Sequence, residues 1–555
     1  MRSRSRLHAG ARRARRHLHR CVRIDARALA MFRVSLALLI LADLLLRSRN
    51  FTFFYTEHGV VPRSLARELS ADYAFSFYHL STNTTVIAAL FVIQALFAIQ
   101  LLVGYRTTFA TVVSFLFVVS LDHHNPLVLS YADVLFRLLM FWAIFVPLGE
   151  RWSVDAVHRR REPRTAVAGI ATAFILGQMV YMYVTNGIIK SVSSTWRSGN
   201  AAPRVLGLDE MTFLLGDTVR QFQTFLEFGG LLWYVMMVCG WVLLVTYGWY
   251  RIPFLLLYIG GHLSFALTVR IGAFAYVALA GLLLFVQTPV LDTLEHWLRR
   301  AGERSPSLQS LARHLESMRH RLRSVGARLP PPHPRWTTDR VRRARARIHG
   351  ATLRLIIVTI VFVGVVLVAQ TAGAVADHDG SEPLEEVIDR TVSETLEETT
   401  GVKQVNTVAS AMAIDQPVGW GVFAPNPRTT DRYYVFSATT ESGEYVDVYS
   451  DRPLAYDRPF NELQRQYGTY RERFYMNSVR RGGSSTDTAA ILAEYRCAEW
   501  EATHGERLTH LNMYVVSEEV TRATVDSPED RDRSYRLFYR HGCGDNEPMT
   551  FEPPE

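Results

Sequence analysis

Nine stretches of this chain are apolar over lengths suited to crossing a bilayer, at roughly 27–46, 84–104, 107–121, 129–148, 166–186, 225–246, 252–270, 272–290 and 351–371. A helix of about 20 apolar residues spans the ~30 Å hydrocarbon core, and inside lipid only helices and closed barrels satisfy their own backbone groups. The pattern predicts a polytopic α-helical membrane protein with about nine transmembrane helices. The Arg-rich start runs into the first apolar stretch without a small-residue cleavage site, so no cleavable signal peptide is expected.

The formal net charge of +9 conceals a division along the chain. Residues 376–555 carry 33 acidic and 18 basic side chains, whereas the first 375 carry 19 acidic and 43 basic. Much of the positive charge lies in the tail RSRSRLHAGARRARRHLHR, the loop RWSVDAVHRRREPR and the stretch 299–348. The positive-inside rule puts all three in the cytoplasm, and with nine spans the acidic tail then lies outside. Membrane orientation accounts for these arginines without nucleic acid, which is not expected as a partner. Cys497 and Cys543 both fall in the outer region, where a disulfide could persist. The acidic exterior suggests a salt-loving prokaryote and the plasma membrane as the location.

The expected organisation is a basic tail (1–21), an eight-helix bundle (22–292), a basic cytoplasmic loop (293–350), a ninth span (351–371) and an extracytoplasmic α+β domain (376–555). Within the loop, LQSLARHLESMRHRLRSVGARL reads as an amphipathic helix, lying on the membrane surface or in solvent, and PPPHPRW as a stiff spacer. In the outer domain, DGSEPLEEVIDRTVSETLEETT and NELQRQYGTYRERFYM read as helices. YYVFSAT, EYVDVYS, RLTHLNMYVVSEEV and SYRLFYRH read as strands.

Of 61 Lys and Arg residues only Lys190 and Lys403 are lysine. Arginine stays protonated at any accessible pH, but a buried amine can lose its proton and act as a base. Lys190, at the end of the fifth span, is therefore either a snorkelling cation or a working amine. Other ionisable groups at membrane depth are Arg33, Asp133, Arg137, Glu227 and His262. Asp133 and Arg137 are four apart on one helical face and are expected to pair, as a structural lock of the bundle, with Arg33 a similar internal tie. By the inferred topology His123, His124, Asn125, Lys190, Glu227 and His262 all fall toward the outer leaflet. Adjacent side chains such as Asp122, His123 and His124 rarely point at one metal, and no HExxH or CxxC spacing accompanies them, so no metal is expected.

The segment GIIKSVSSTWRSG resembles the Gly-x-x-Lys…Trp-x-x-Gly segment of the vitamin K-dependent gamma-carboxylases and the wider HTTM (horizontally transferred transmembrane domain) family. FYTEHGVVPR, GYR, DHHNPLVLSYADVL, WSVDA and GGHLSFALTVRIGAFAYVAL follow in the same order, and PVGWGVFAPNPRTTDRYYVF resembles the opening of these proteins' outer domain. The resemblance implies that Lys190 deprotonates a reduced vitamin K or menaquinone-type quinol drawn from the membrane quinone pool. Oxygen would then generate a strong base that removes a glutamate γ-proton, and carbon dioxide would trap the carbanion. His123, His124 and His262 would position or stabilise the quinol oxygens, with Asn125, Trp196 and Glu227 beside them. Ile189 stands where the carboxylases have a second lysine, and the outer domain is shorter than theirs. Three readings follow: a quinol-dependent, carboxylase-like enzyme acting on an exported protein substrate; a non-enzymatic scaffold whose acidic domain binds an exported partner; and a carrier, which the one-sided clustering disfavours.

Overall fold

The computed structural model describes residues 2–304 apart from 71–73 and 160–161, isolated residues between 310 and 394, and residues 420–551. The expected ninth span at 351–371, most of the 293–350 loop and the charged helix after residue 376 lie largely outside the described residues. Ten helices organise the first part: α1 (Arg2–Cys21), α2 (Ala26–Ser48), α3 (Thr84–Val103), α4 (Thr107–His124), α5 (Tyr131–Ala143), α6 (Ile170–Ser191), α7 (Gln223–Val238), α8 (Ile252–Thr268), α9 (Phe274–Leu282) and α10 (Thr288–Arg304), besides shorter turns. By length and composition four segments can cross a membrane: α2, α3, α6 and Gly248–Thr268, which includes α8. A fifth is added if the bent pair Phe274–Phe285 and Thr288–Arg300 is one span.

Local chemistry sets several boundaries. Asp25 caps α2 by accepting from the Arg27 amide at 2.7 Å, and Asn83 caps α3 by accepting from the Thr85 amide at 2.8 Å. α3 stops at Gly104 in the left-handed region (φ 70°), and a Cβ there would strike the Arg33 guanidinium. Arg33 donates through Nη2 to the Trp152 carbonyl at 2.5 Å. Ser130 and Asp133 form a reciprocal cap at the start of α5: the Ala132 amide donates to Ser130 Oγ, and the Ser130 amide donates to Asp133 Oδ2 at 2.8 Å.

The Arg137 charge acts on Asp133 as expected, but the direct hydrogen bonds of the two residues run to other elements. Arg137 donates to Asp122 of α4, which also takes Arg47 Nη2 at 2.7 Å, and Arg47 Nε reaches Asp43 at 2.7 Å. Asp133 instead receives Arg471 of the outer domain at 2.9 Å. Helical spacing allowed the i,i+4 pair, but the first-turn position of Asp133 and the presence of Asp122 on the neighbouring helix gave each residue a better partner.

The outer domain is α+β. Its strands are β1 (Thr430–Thr440), β2 (Tyr445–Asp447), β3 (Arg452–Pro453), β4 (Leu508–Glu519) and β5 (Arg533–Gly542), antiparallel throughout in the order β3-β2-β1-β4-β5. Register pairs Tyr434 with Val515 and Phe436 with Met513. Alternation along β1 sends Tyr434, Phe436 and Ala438 into the main core and Tyr433 and Val435 into a second cluster with Leu463, Tyr514 and Val516. Helices α11 (Tyr470–Gly482) and α12 (Asp487–His504) accompany the sheet; the sequence reading foresaw the first and not the second. Cys497 of α12 is bonded to Cys543, just past β5.

This domain is docked on the bundle through buried ionic contacts. Arg471 reaches Asp43 at 2.5 Å, Asp133 at 2.9 Å and the Val128 carbonyl at 3.1 Å. Arg473 donates to Glu210 at 2.6 Å and Arg458 to Asp209 at 2.6 Å. Asp431 accepts from the amides of Asp209 and Glu210 and from Arg531.

Candidate functional site

Tyr183, Asn186 and Lys190 lie three and four residues apart on α6, which brings them to one face of the helix. Lys190 is only 2% exposed. Its Nζ donates to Asn186 Oδ1 and to the Val422 carbonyl at 2.6 Å, and lies 4.3 Å from the centre of the Trp196 ring. Asn186 Nδ2 in turn donates to the carbonyls of Trp420 and Val422. Trp196 Nε1 donates to the Phe423 carbonyl at 2.9 Å, and Ser193 donates to Asn426. The segment Trp420–Asn426 thus forms a strap from the outer domain across the end of α6. Trp420 and Phe423 take φ of 45° and 55°, a left-handed conformation that non-glycine residues rarely hold without surrounding support.

A cavity of about 380 Å³ opens beside the amine, within the range of small-molecule sites. A second polar group lines it: the Tyr183 hydroxyl and His262 Nε2 share a hydrogen bond of 2.8 Å. His262 is fully buried, and its Nδ1 has no partner among the described residues. The remaining wall is mostly apolar, and no carboxylate occurs among the described lining residues. Gly229 and Gly230 of α7 and Gly260 and Gly261 of α8 contribute to it, as do Phe225 (67% exposed) and Leu256 (60% exposed). The apolar outer surface of the bundle therefore continues into the cavity between α7 and α8. A Cβ on Gly261 would come within 2.4 Å of the Trp233 ring, so glycine is what lets that indole line the space.

The structure divides the expected cluster. Lys190, Trp196 and His262 share the cavity, but His123, His124, Asn125 and Glu227 are not among its lining residues. His124 Nε2 lies 3.3 Å from the Tyr55 carbonyl, with its ring beside Tyr55 and His79. Asn125 donates to the Phe54 carbonyl and accepts from the Leu127 amide. His123 is buried on the same turn, with Ser70 Oγ donating to its carbonyl. Glu227 pairs with Arg522 of the outer domain at 2.5 Å. These four share an end of the bundle with Lys190 but face other neighbours. Sequence reasoning missed Asn186 and Tyr183, although the α6 period pointed to both once Lys190 was singled out; nothing local pointed to Val422. No group of three or more His, Cys, Asp or Glu suited to a metal occurs among the described residues.

A bundle of apolar helices that holds a buried amine at one end, beneath a docked α+β domain, defines a polytopic membrane protein with an internal polar site. Residues 22–289 match the HTTM domain and form one. This domain is also the one found in the vitamin K-dependent gamma-carboxylases, and with the apolar helices it marks the chain as a membrane protein. No curated protein and no solved structure matches the chain.

Proposed function

We propose that this is a nine-pass membrane enzyme in which Lys190 takes a proton from a quinol that enters from the lipid. The observation that carries the reading is the setting of the amine: buried, free of any carboxylate among the described lining residues, and beside an apolar cavity that continues to the exposed apolar surface of the bundle. The two acceptors on Nζ, Asn186 Oδ1 and the Val422 carbonyl, match the two N–H bonds of a neutral amine and leave its lone pair for a proton. The cavity would suit a ring bearing two oxygens, since Lys190 and the Tyr183–His262 pair both line it. When bound, a reduced quinol would supply, with dioxygen, the strong base that carboxylation of a glutamate requires. The chain's own residues would hold the ring, accept its hydroxyl proton at Lys190 Nζ and keep water out. The exported protein substrate would approach from the outer domain, placed on the extracytoplasmic side, where the Cys497–Cys543 bond suits an oxidising environment.

The test is quinol consumption by the full chain in liposomes loaded with reduced menaquinone, in the presence of oxygen and bicarbonate. Lys190→Arg keeps N–H donors at this position but stays protonated, so it removes the base, and the rate is expected to fall on the order of 10²–10⁴-fold. Full activity in that variant overturns the reading. Mass spectrometry for γ-carboxyglutamate in exported proteins of the source cell, with and without the gene, tests whether carboxylation is the outcome.

One observation favours a second reading, in which the protein is a scaffold. The strap carbonyl of Val422 occupies the amine, so Lys190 also serves as a tie between outer domain and bundle. On that reading Lys190→Arg leaves no chemistry to lose. Deletion of the outer domain would instead abolish capture of an exported partner.

A further inference from the structure

The end of the bundle opposite the outer domain carries a second recess with a different chemistry. α1 contains eight arginines and no acidic residue. Arg13, Arg16 and Arg20 fall at helical spacing and, with His17 and Tyr247, line an open recess of about 630 Å³. α1 is held there through its C-terminal turns: His17 Nε2 lies 2.8 Å from the Val245 carbonyl, Arg20 donates to the Tyr247 hydroxyl at 3.2 Å, and Gln287 donates to the carbonyls of Arg20 and Arg23. Two other arginines at this end are neutralised. Arg27 is paired with Asp25, Asp292 and Glu295, and Arg159 with Glu150. Among the described residues no carboxylate lies within ion-pair distance of Arg13, Arg16 or Arg20.

The surroundings of the recess point to a lipid surface. α10 turns by 102° from the segment Phe274–Phe285, so if that segment crosses the bilayer α10 runs along its plane. Leu294, Trp297 (64% exposed) and Leu298 (55% exposed) form an apolar stripe on α10 at three- and four-residue spacing. Trp241, Trp249 and Tyr250, which flank the recess in sequence, are exposed too. Exposed indole and phenol rings beside uncompensated arginines match the headgroup layer, where aromatic side chains sit between hydrocarbon and water and arginines meet phosphates.

We propose that this end binds anionic phospholipid, with Arg13, Arg16 and Arg20 holding the headgroup phosphodiester in the recess and α10 lying in the interface beside it. A nucleic acid would also attract the arginines, but it would leave the apolar stripe of α10 and the exposed rings without a role.

The test uses the full chain purified in mixed micelles of phosphatidylglycerol and phosphatidylcholine, with retained lipid identified by native mass spectrometry. Wild type is expected to retain phosphatidylglycerol preferentially. The triple variant Arg13→Gln, Arg16→Gln, Arg20→Gln should lose that preference by roughly tenfold or more, each arginine near an anionic surface contributing about fivefold before screening. The corresponding triple lysine variant should retain most of it, which separates lost charge from lost folding. Unchanged phosphatidylglycerol retention in the glutamine variant overturns the proposal. So does displacement of the lipid by millimolar inorganic phosphate, which would mark a free-anion site, or by a short DNA duplex. In bilayers, Trp297→Phe should remove a fluorescence component quenched by brominated lipid; no change in quenching rules out the interfacial placement of α10.

Discussion

Lys190 and Asn186 share a wall with Tyr183 because the helix period sets them there, and a second helix completes the site by bringing His262 to the Tyr183 hydroxyl. The space between these groups depends on one missing side chain. With Gly261→Ala, the new Cβ would meet the Trp233 ring at 2.4 Å, and the indole must move into the cavity or α8 must shift away. Either response is overpacking, with an expected loss of about 1–3 kcal/mol in stability. In the quinol assay the KM should rise more than kcat falls, since the amine is untouched. An unchanged KM would show that the cavity beside Trp233 is not where the quinol sits. Tyr183→Phe makes a complementary probe: it leaves His262 Nε2 buried without its partner, and thermal unfolding should reveal a loss of about 1–3 kcal/mol.

The strap Trp420–Asn426 and helix α11 join the two halves of the molecule, and α11 does so through Arg471, Arg473 and Ser478. Arg471 is the shared cation of Asp43 and Asp133, and Arg47 reaches both of those carboxylates as well. Arg471→Met keeps much of the volume and removes the charge, which leaves mostly buried carboxylates undercompensated; the expected loss is about 3–5 kcal/mol. Hydrogen exchange should then rise along Tyr470–Gly482 and the strap, while the far strands of the sheet keep their protection. Unchanged exchange would mean that docking rests on the Asp209–Glu210 contacts instead. Contacts of this kind also mark the limit of what the sequence made legible. Hydropathy and the positions of charge suffice to read a helical membrane protein, and alternation reads four strands of the outer sheet, because burial imposes those periods directly. The ends of the apolar stretches are readable too, and the outer domain meets both Lys190 and the residues just past the His123–Asn125 turn. Azimuth is not: which way a helix faces depends on its neighbours, so His124 turns to Tyr55 and His79 while Lys190 turns to Trp196. The partnership of Lys190 with Val422 spans 232 residues, and no local pattern reports it.

Across the whole molecule, the basic bundle and the acidic outer domain meet through ionic contacts, and two acids at the Asp209–Glu210 contact titrate in opposite senses. Burial alone would raise Glu210, but Arg428 and Arg473 outweigh it and hold the carboxyl at about 2. Asp431 goes the other way: burial, reinforced by the negative charge of Asp209, pushes it up to about 6 from an ordinary 3.8. A carboxyl with a lowered value contributes stability that is present above its unfolded pKa and is lost as pH falls toward the folded one, so the Glu210 contribution fades below about pH 4.5. For Asp431 the folded state binds the proton more tightly than the unfolded state, so between about pH 4 and 6 its contribution declines as pH rises. The shift corresponds to roughly 3 kcal/mol over that window for this fully buried group. Together the two groups favour docking most near pH 4 and weaken it on either side. Asp209→Asn removes the like charge and should bring the Asp431 value down, flattening the wild-type decline between pH 4 and 6. The check is the difference in thermal midpoint between wild type and variant across pH 3–8, because Asp447, Glu472 and Glu518, also raised chiefly by burial, contribute slopes of the same sign to both proteins. Parallel curves over pH 4–6 would show that Asp431 does not titrate there, and that Arg531 and the two backbone amides hold it ionised throughout.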